Sequence, residues 1–229
     1  MNRKNVTISW RTPFRRNTLR RLYILRHGET QWNKEEIFRG TKDIPLNEKG
    51  LNQAEMAGLY FKDKPINRIL SSPLKRAFQT AQAVGDATGT KIEIVDEFTD
   101  INFGIWEGLT VEEVKKTYTS DFELWRRSPE MLSVQGGETL HRVRDRISRG
   151  IERHITKDDE SVLVVTHRVI CKVMVLYLLK IGNEHFWDMK YDPASITLLE
   201  RDGDRFVLSF SNDTCHLQKK TGKNNYMDF

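Results

Sequence analysis

Short apolar runs and longer amphipathic stretches alternate along this chain. Leu22-Tyr23-Ile24-Leu25 predicts a first strand and Arg68-Ile69-Leu70-Ser71 a second. Residues 92–95 predict a third, and the nearly all-apolar residues 161–166 a fourth, of the kind found at the centre of a parallel sheet. Between them lie helical periods. Residues 47–61 place Leu51, Ala54 and Gly58 on one face, with Asn47 as N-cap, and residues 73–88 open on a proline in the first turn. Thr110…Glu113 and Ser120…Glu123 read as capping boxes of two short helices. After Gly136-Gly137, the positions Leu140, Val143, Ile147, Ile151 and Ile155 recur at steps of three and four. Residues 169–179 predict a buried helix that stops near Gly182, and Asp202-Gly203 joins two final strands as a hairpin. The order predicts one α/β domain: a three-layer sandwich with a mostly parallel central sheet and helices on both faces.

Charge changes this picture at one end. The net charge of +5 comes with seven basic residues and no acid in residues 1–21 (Arg3, Lys4, Arg11, Arg15, Arg16, Arg20, Arg21), so residues 22–229 carry −2. The chain therefore divides into a basic extension (1–21), a nearly neutral catalytic-sized body (22–217) and a polar tail (218–229). The extension is expected to be flexible and solvated; it offers nucleic acid or an anionic surface a possible but secondary contact. No run approaches the roughly 20 apolar residues of a membrane span. Cys171 and Cys215 have no metal-ligand spacing, as expected of a reduced cytoplasmic protein.

The candidate chemistry sits at the predicted C-terminal ends of the strands, where open α/β sheets bind ligands. Arg26-His27 follows the first strand, Ser71-Ser72-Pro73-Leu74-Lys75-Arg76-Ala77 the second, a loop from Asp96 to Gly108 the third, and His167-Arg168 the fourth. An arginine and a histidine side by side at a strand end are costly to bury unless an anion or a reaction waits there. Two histidines, several arginines and helix N-termini on one rim suit a phosphoryl group. A neutral imidazole can attack phosphorus, and a carboxylic acid can protonate the departing alkoxide.

Over residues 22–217 the chain resembles the histidine phosphatase superfamily, in its phosphoglycerate-mutase-like branch. The resemblance rests on RHGET (26–30), Asn33, the 43–54 stretch, SSPLKRA (71–77), FGIWEG (103–108), GGET (136–139) and His167, in that order. It implies that His27 is a nucleophile forming a phosphohistidine. Arg26, Arg76 and His167 would clamp the phosphoryl oxygens, and Asn33 would help bind phosphate. Asp100 falls at the position of the proton donor, where glutamate is usual; Glu97 is the substitute donor. Arg168 replaces the usual glycine, and either contacts an anionic substrate or turns away into a salt bridge. Trp106 is expected in the core, and His141, His154, His185 and His216 in structural roles.

The expected activity is hydrolysis of a small phosphate monoester, such as a sugar phosphate or phosphoglycerate derivative, by a metal-independent phosphatase without cofactor, monomeric or dimeric. A phosphomutase or a non-catalytic phosphometabolite-binding protein are the alternatives. The absence of a long insertion near the motifs favours hydrolysis. Specificity is expected to lie in residues 34–43, 96–135 and 183–192.

Overall fold

A computed structural model describes residues 20–156 and 159–218. Six strands form one sheet in the order β3-β2-β4-β1-β5-β6: β1 (Arg21–Arg26), β2 (Arg68–Ser71), β3 (Ile92–Ile94), β4 (Ser161–Thr166), β5 (Ile196–Asp202) and β6 (Arg205–Asp213). Strands β1 to β4 run parallel; β5 pairs antiparallel with β1, and β6 antiparallel with β5. The predicted sandwich is the observed one. Successive side chains of a strand point to opposite faces, and here each face has its own core. Tyr23, Leu25, Ile69, Leu163 and Val165 pack under α2 (Glu48–Phe61) and α3 (Lys75–Thr88). Leu22, Ile24, Leu70, Val162 and Val164 pack under α6 (Leu140–His154) and α7 (Arg168–Leu178).

The helices follow their periods with some corrections. Asn47 caps α2 by accepting from the Gly50 N–H at 2.8 Å. Its buried stripe is Gly50, Ala54, Ala57, Gly58 and Phe61, whereas Leu51 is exposed. Small residues were needed there because α2 packs tightly on α3: a Cβ on Gly58 would stand 2.6 Å from the Ala83 carbonyl oxygen. Helix α3 begins two residues after Pro73, and its first N–H, that of Lys75, is received by Asp43 at 2.7 Å.

Thr110 and Glu113 form the predicted capping box of α4 (Val111–Thr117). The second box does not form. Tyr118 is both the C-cap of α4 and the N-cap of α5 (Thr119–Arg127), so Ser120 already lies inside the helix. A four-residue helix, α1 (Gln31–Lys34), follows the first motif.

Strand β1 reaches back to Arg21, which faces Glu200 at 3.7 Å, and Arg20 faces Glu160 at 3.7 Å. These two charges of the basic extension thus belong to the edge of the body; residues 1–19 and the C-terminal residues 219–229 lie outside the described residues. Among the described residues no helix is long and apolar enough to cross a membrane, and no group of three or more His, Cys, Asp or Glu side chains is arranged to hold a metal. Trp106 is fully buried among Phe38, Phe103 and Tyr118.

Candidate active site

Strand register brings the two predicted histidines together. Arg26 pairs with Thr166 across β1 and β4, and the His27 N–H donates to the Thr166 carbonyl at 2.9 Å. His27 and His167 therefore leave adjacent strand ends, both fully buried, with ring centroids 5.2 Å apart. Backbone clearance shapes the turn after His27: a Cβ on Gly50 would fall 2.0 Å from the Glu29 carbonyl oxygen, so only glycine lets the start of α2 sit against this turn.

The hydrogen bonds assign the tautomers. His27 Nδ1 lies 2.6 Å from the Gly28 carbonyl, which can only accept. Nδ1 therefore carries the proton, and Nε2 keeps a buried lone pair without a partner. His167 has the reverse arrangement. Its Nδ1 receives Arg76 Nε at 3.2 Å, so Nε2 holds the proton and donates to Ser72 Oγ at 2.7 Å. Burial, followed by the charges of the surrounding arginines, holds both imidazoles well below the ordinary histidine range. Both are neutral near pH 7.

Arg76, fully buried in the first turn of α3, is held from every side. Its Nη1 donates to the Lys42 carbonyl at 2.7 Å; Nη2 donates to the Gly40 carbonyl at 2.8 Å and to Asp100 Oδ2 at 3.1 Å. With the bond to His167, four of its five N–H groups are committed to protein. Arg26 donates Nη1 to the Tyr191 carbonyl at 2.5 Å, while its buried Nε has no partner. Burial and the nearby Arg168 and Arg39 bring the Arg26 pKa down to about 9. That is the mark of a cationic cluster awaiting an anion.

Asp100 comes to the site through a tightly tied loop. The loop leaves β3, forms a 3-10 turn at Asp96–Phe98, and is anchored by Arg146 of α6. Arg146 donates to the carbonyls of Glu97 at 2.6 Å and Asp100 at 3.1 Å, and forks onto the Glu138 carboxylate at 2.9 and 3.0 Å. Glu138 in turn receives the Asn102 N–H at 3.0 Å. Gly104, at φ +55°, lets this loop pass the Gly136-Gly137 turn, where a Cβ would meet the Gln135 carbonyl oxygen at 2.1 Å. As a result Asp100 is 6% exposed, bonded to Arg76 and to the Ile101 N–H, with Oδ2 3.7 Å from His167 Nδ1. The 3-10 turn sends Glu97 the other way, into an ion pair with Arg153 of α6 at 2.7 Å. Only Asp100 of the two candidate acids reaches the histidines.

A cavity of about 320 Å³ opens on this cluster. Asp100, Asn33 and Gly40 form its inner wall, Arg39 and Arg168 flank it, and Phe103, Phe122, Trp125 and Trp187 give it an aromatic side. Asn33 accepts the Thr30 N–H and hydroxyl with Oδ1, both at 2.9 Å, which leaves its amide N–H groups as donors on the cavity wall. Of the expected site residues, Asn33, Asp100 and Arg168 line the cavity, while Arg26, His27, Arg76 and His167 lie buried behind it around Asp100. Arg168 lines the cavity, and among the described residues it forms no salt bridge. Residues from 34–43, 96–135 and 183–192 supply most of the lining, joined by Asn33 and by Arg168 and Val169 from the start of α7.

Three partners were not singled out from the sequence: Arg39, Ser72 and Arg146. Ser72 lay inside a recognised motif and Arg39 inside a specificity segment, but nothing in their spacing marked their direction. Arg146 looked like one more charge on the polar face of α6.

Residues 22–214 match the Histidine phosphatase superfamily (branch 1). Phosphoserine phosphatase 1 of Hydrogenobacter thermophilus is 33% identical over 86% of this chain and 94% of its own length. A 2,3-bisphosphoglycerate-dependent phosphoglycerate mutase of Cytophaga hutchinsonii is 31% identical over 71% of this chain and 79% of its own. The mycobacterial glucosyl-3-phosphoglycerate phosphatase, solved in complex with VO3, superposes with a TM-score of 0.78 at 27% identity, covering 85% of this chain and all of that one. With its motifs in order along the sequence and its two motif histidines side by side, the chain belongs to branch 1 of the histidine phosphatase superfamily.

Proposed function

We propose that this protein hydrolyses a small phosphate monoester through a phosphohistidine at His27. One observation carries the reading: His27 donates Nδ1–H to the Gly28 carbonyl and presents a bare, buried Nε2 between Arg26, Arg76 and His167. A neutral imidazole with its tautomer fixed is a nucleophile needing no prior deprotonation. Nε2 attacks phosphorus, and the bond from phosphorus to the ester oxygen breaks. Asp100 gives that oxygen a proton, so the leaving group departs as an alcohol. Asp100 then takes a proton from water, whose oxygen attacks the phosphohistidine. Inorganic phosphate leaves and Nε2 is restored. Arg26, the remaining N–H of Arg76 and the Asn33 amide hold the equatorial oxygens, joined by the His167 Nε2–H when it turns from Ser72 to the phosphoryl group, a largely preorganised frame for the charge spread over the transferring group.

Hydrolysis is favoured over transfer to a second hydroxyl because phosphatases stand among the relatives matched over nearly their whole length, phosphoserine phosphatase 1 and glucosyl-3-phosphoglycerate phosphatase. Phosphate release across a panel of phosphorylated metabolites, with mutase activity assayed beside it, tests the reading. Acid-sensitive, base-stable label from a radiolabelled substrate should map to the peptide containing His27, and His27→Ala should lose both label and turnover. Label on His167, or isomerisation outrunning phosphate release, would overturn it.

A further inference from the structure

The GGET stretch and the mid-helix Arg146 take no direct part in the reaction described above, yet together they hold the loop that carries Asp100. An aspartate hangs its carboxyl on two torsions, so the main chain sets how far it reaches. That main chain is tied at short intervals. The Glu97 carbonyl receives Arg146 Nη1 at 2.6 Å, the Phe98 carbonyl receives Thr166 Oγ1 at 2.7 Å, and the Asp100 carbonyl receives Arg146 Nη2 at 3.1 Å. Glu138 brackets Asn102: its N–H donates to the Asn102 carbonyl at 2.8 Å, and its Oε2 accepts the Asn102 N–H at 3.0 Å. The loop lies so close to α6 that a Cβ on Gly150 would stand 2.8 Å from the Glu97 Cβ. Arg146 rises from the middle of this fifteen-residue helix, and its side chain is 15% exposed. Its fork takes the Glu138 carboxylate on one side, at 2.9 and 3.0 Å, and the two loop carbonyls on the other. A planar guanidinium can divide its donors in this way and an ammonium cannot. Burial opposes the Glu138 charge, but the Arg146 bonds and charge and the Asn102 N–H hold its carboxyl below the ordinary range.

We propose that Arg146, itself held by Glu138, is the positioning residue of the proton donor: it fixes the main chain at Asp100 so that the carboxyl meets the leaving-group oxygen. This rests on the phosphatase reading above, with Asp100 as its acid. Among the described residues Arg146 forms no hydrogen bond or ion pair with Arg26, His27, Asn33, Arg76 or His167, the groups assigned to the phosphoryl unit. Its charge adds to the lowering of the His167 pKa only after burial, Arg76, His27 and Arg39. Loss of Arg146 should therefore fall on the step that needs a proton and leave phosphate capture in place. A carboxyl displaced by about an ångström is enough to slow such a step substantially.

The test uses the full chain and two esters of unequal leaving group. One is the aliphatic ester turned over fastest among glycerol 3-phosphate, 3-phosphoglycerate and O-phosphoserine, whose alkoxide needs a proton. The other is p-nitrophenyl phosphate, whose leaving group needs little help. Arg146→Gln should lower kcat on the aliphatic ester roughly 10–100-fold with KM within about threefold. That loss should exceed the loss on p-nitrophenyl phosphate by at least about tenfold. Arg146→Lys, which keeps the charge and loses the fork, should show the same pattern at smaller size. Arg153→Gln, which gives up an ion pair between the same helix and the Glu97 side chain, should leave the ratio of the two rates as in the wild type. In an Asp100→Asn background, Arg146→Gln should slow the aliphatic ester by less than about a further threefold, because no donor remains to be placed. Equal losses on both esters, a loss confined to KM, or additive losses in the double variant would make Arg146 a fold-stabilising residue only and overturn the proposal. If Arg146→Gln does not fold, Arg146→Lys is held to the same criteria. With Asp100→Asn showing a leaving-group-dependent loss and the Arg146 variants none, the proposal falls and the phosphatase reading stands. Wild-type turnover of the aryl ester alone would leave no acid to place and overturn the proposal; turnover of neither ester would overturn the phosphatase reading and the proposal with it.

Discussion

Arg76 and Arg168 occupy equivalent places in the fold. Each lies in the first turn of a helix that follows a parallel strand; Arg168 lines the cavity, and Arg76 lies behind its wall, bonded to Gly40 and Asp100. Arg76 has four N–H groups bound to the protein and no exposure; Arg168 has none bound. The first is a fixed part of the machine. It donates to His167, to the carbonyls of Gly40 and Lys42, and to the Asp100 carboxylate. The second lines the cavity and, among the described residues, takes part in no hydrogen bond or ion pair. Equivalent places in the fold therefore do not make two charges equivalent; the count of satisfied donors among the described residues separates them.

The contrast predicts unequal consequences of removal. Arg76→Ala strands the Asp100 carboxylate and two carbonyls, so it should destabilise the fold by about 3–5 kcal/mol, in the range for breaking a buried pair. Catalysis should fall by several orders of magnitude. Arg168→Gln should leave urea unfolding within about 1 kcal/mol of wild type, or raise stability, because it removes an uncompensated charge. Comparable losses of stability in the two variants would break the comparison.

A smaller effect separates Asp100 from Glu97. Asp100→Asn should cost aliphatic phosphate esters roughly 10²–10⁴-fold in kcat, the usual range for a general acid. It should spare p-nitrophenyl phosphate, whose leaving group departs as a stable anion. Glu97→Gln, which loses its pairing with Arg153 and its approach to His154 on α6, should change neither. A leaving-group-dependent loss in Glu97→Gln would move the acid role.

The smallest effect concerns the cation held against the aromatic rings of Phe186 and Trp187. Lys172, one turn after Arg168 and 2% exposed, sits over the rings of Phe186 at 4.4 Å and Trp187 at 4.2 Å. Burial, with Arg168 and Arg26 adding to it, brings its pKa down to about 7. The unfolded chain binds this proton up to the ordinary lysine range, so between about pH 7 and 10.5 it holds more protons than the native state. Stability should therefore rise with pH across that window, and the cost of charging Lys172 should be fully present below it. Lys172→Met should flatten the rise and stabilise the protein at pH 6 by about 1–3 kcal/mol, with the two aromatic faces offsetting part of the charging cost. Urea titrations at pH 6 and pH 9 measure this. A less stable Lys172→Met protein at pH 6 would show that the ring contacts outweigh desolvation.

From the sequence alone came the alternation of strands and helices, the caps at Asn47 and Thr110, and the placement of His27, Arg76, Asp100 and His167 after successive strands. These are local matters: side-chain period, capping chemistry and chain order act over a few residues and survive being read in one dimension. Only the tertiary structure decided the rest. It buried the small-residue stripe of α2 and left Leu51 outside, because the neighbouring helix demanded close approach. It merged the end of α4 with the start of α5 and so removed a cap that the local spacing allowed. It turned Glu97 toward α6 and Asp100 toward the histidines, two residues equally acidic and three positions apart. Among the described residues it gave Arg39 and Arg168 no ion-pair partner. A long charged side chain can reach partners in many directions, and which partner it meets depends on segments far away in the chain.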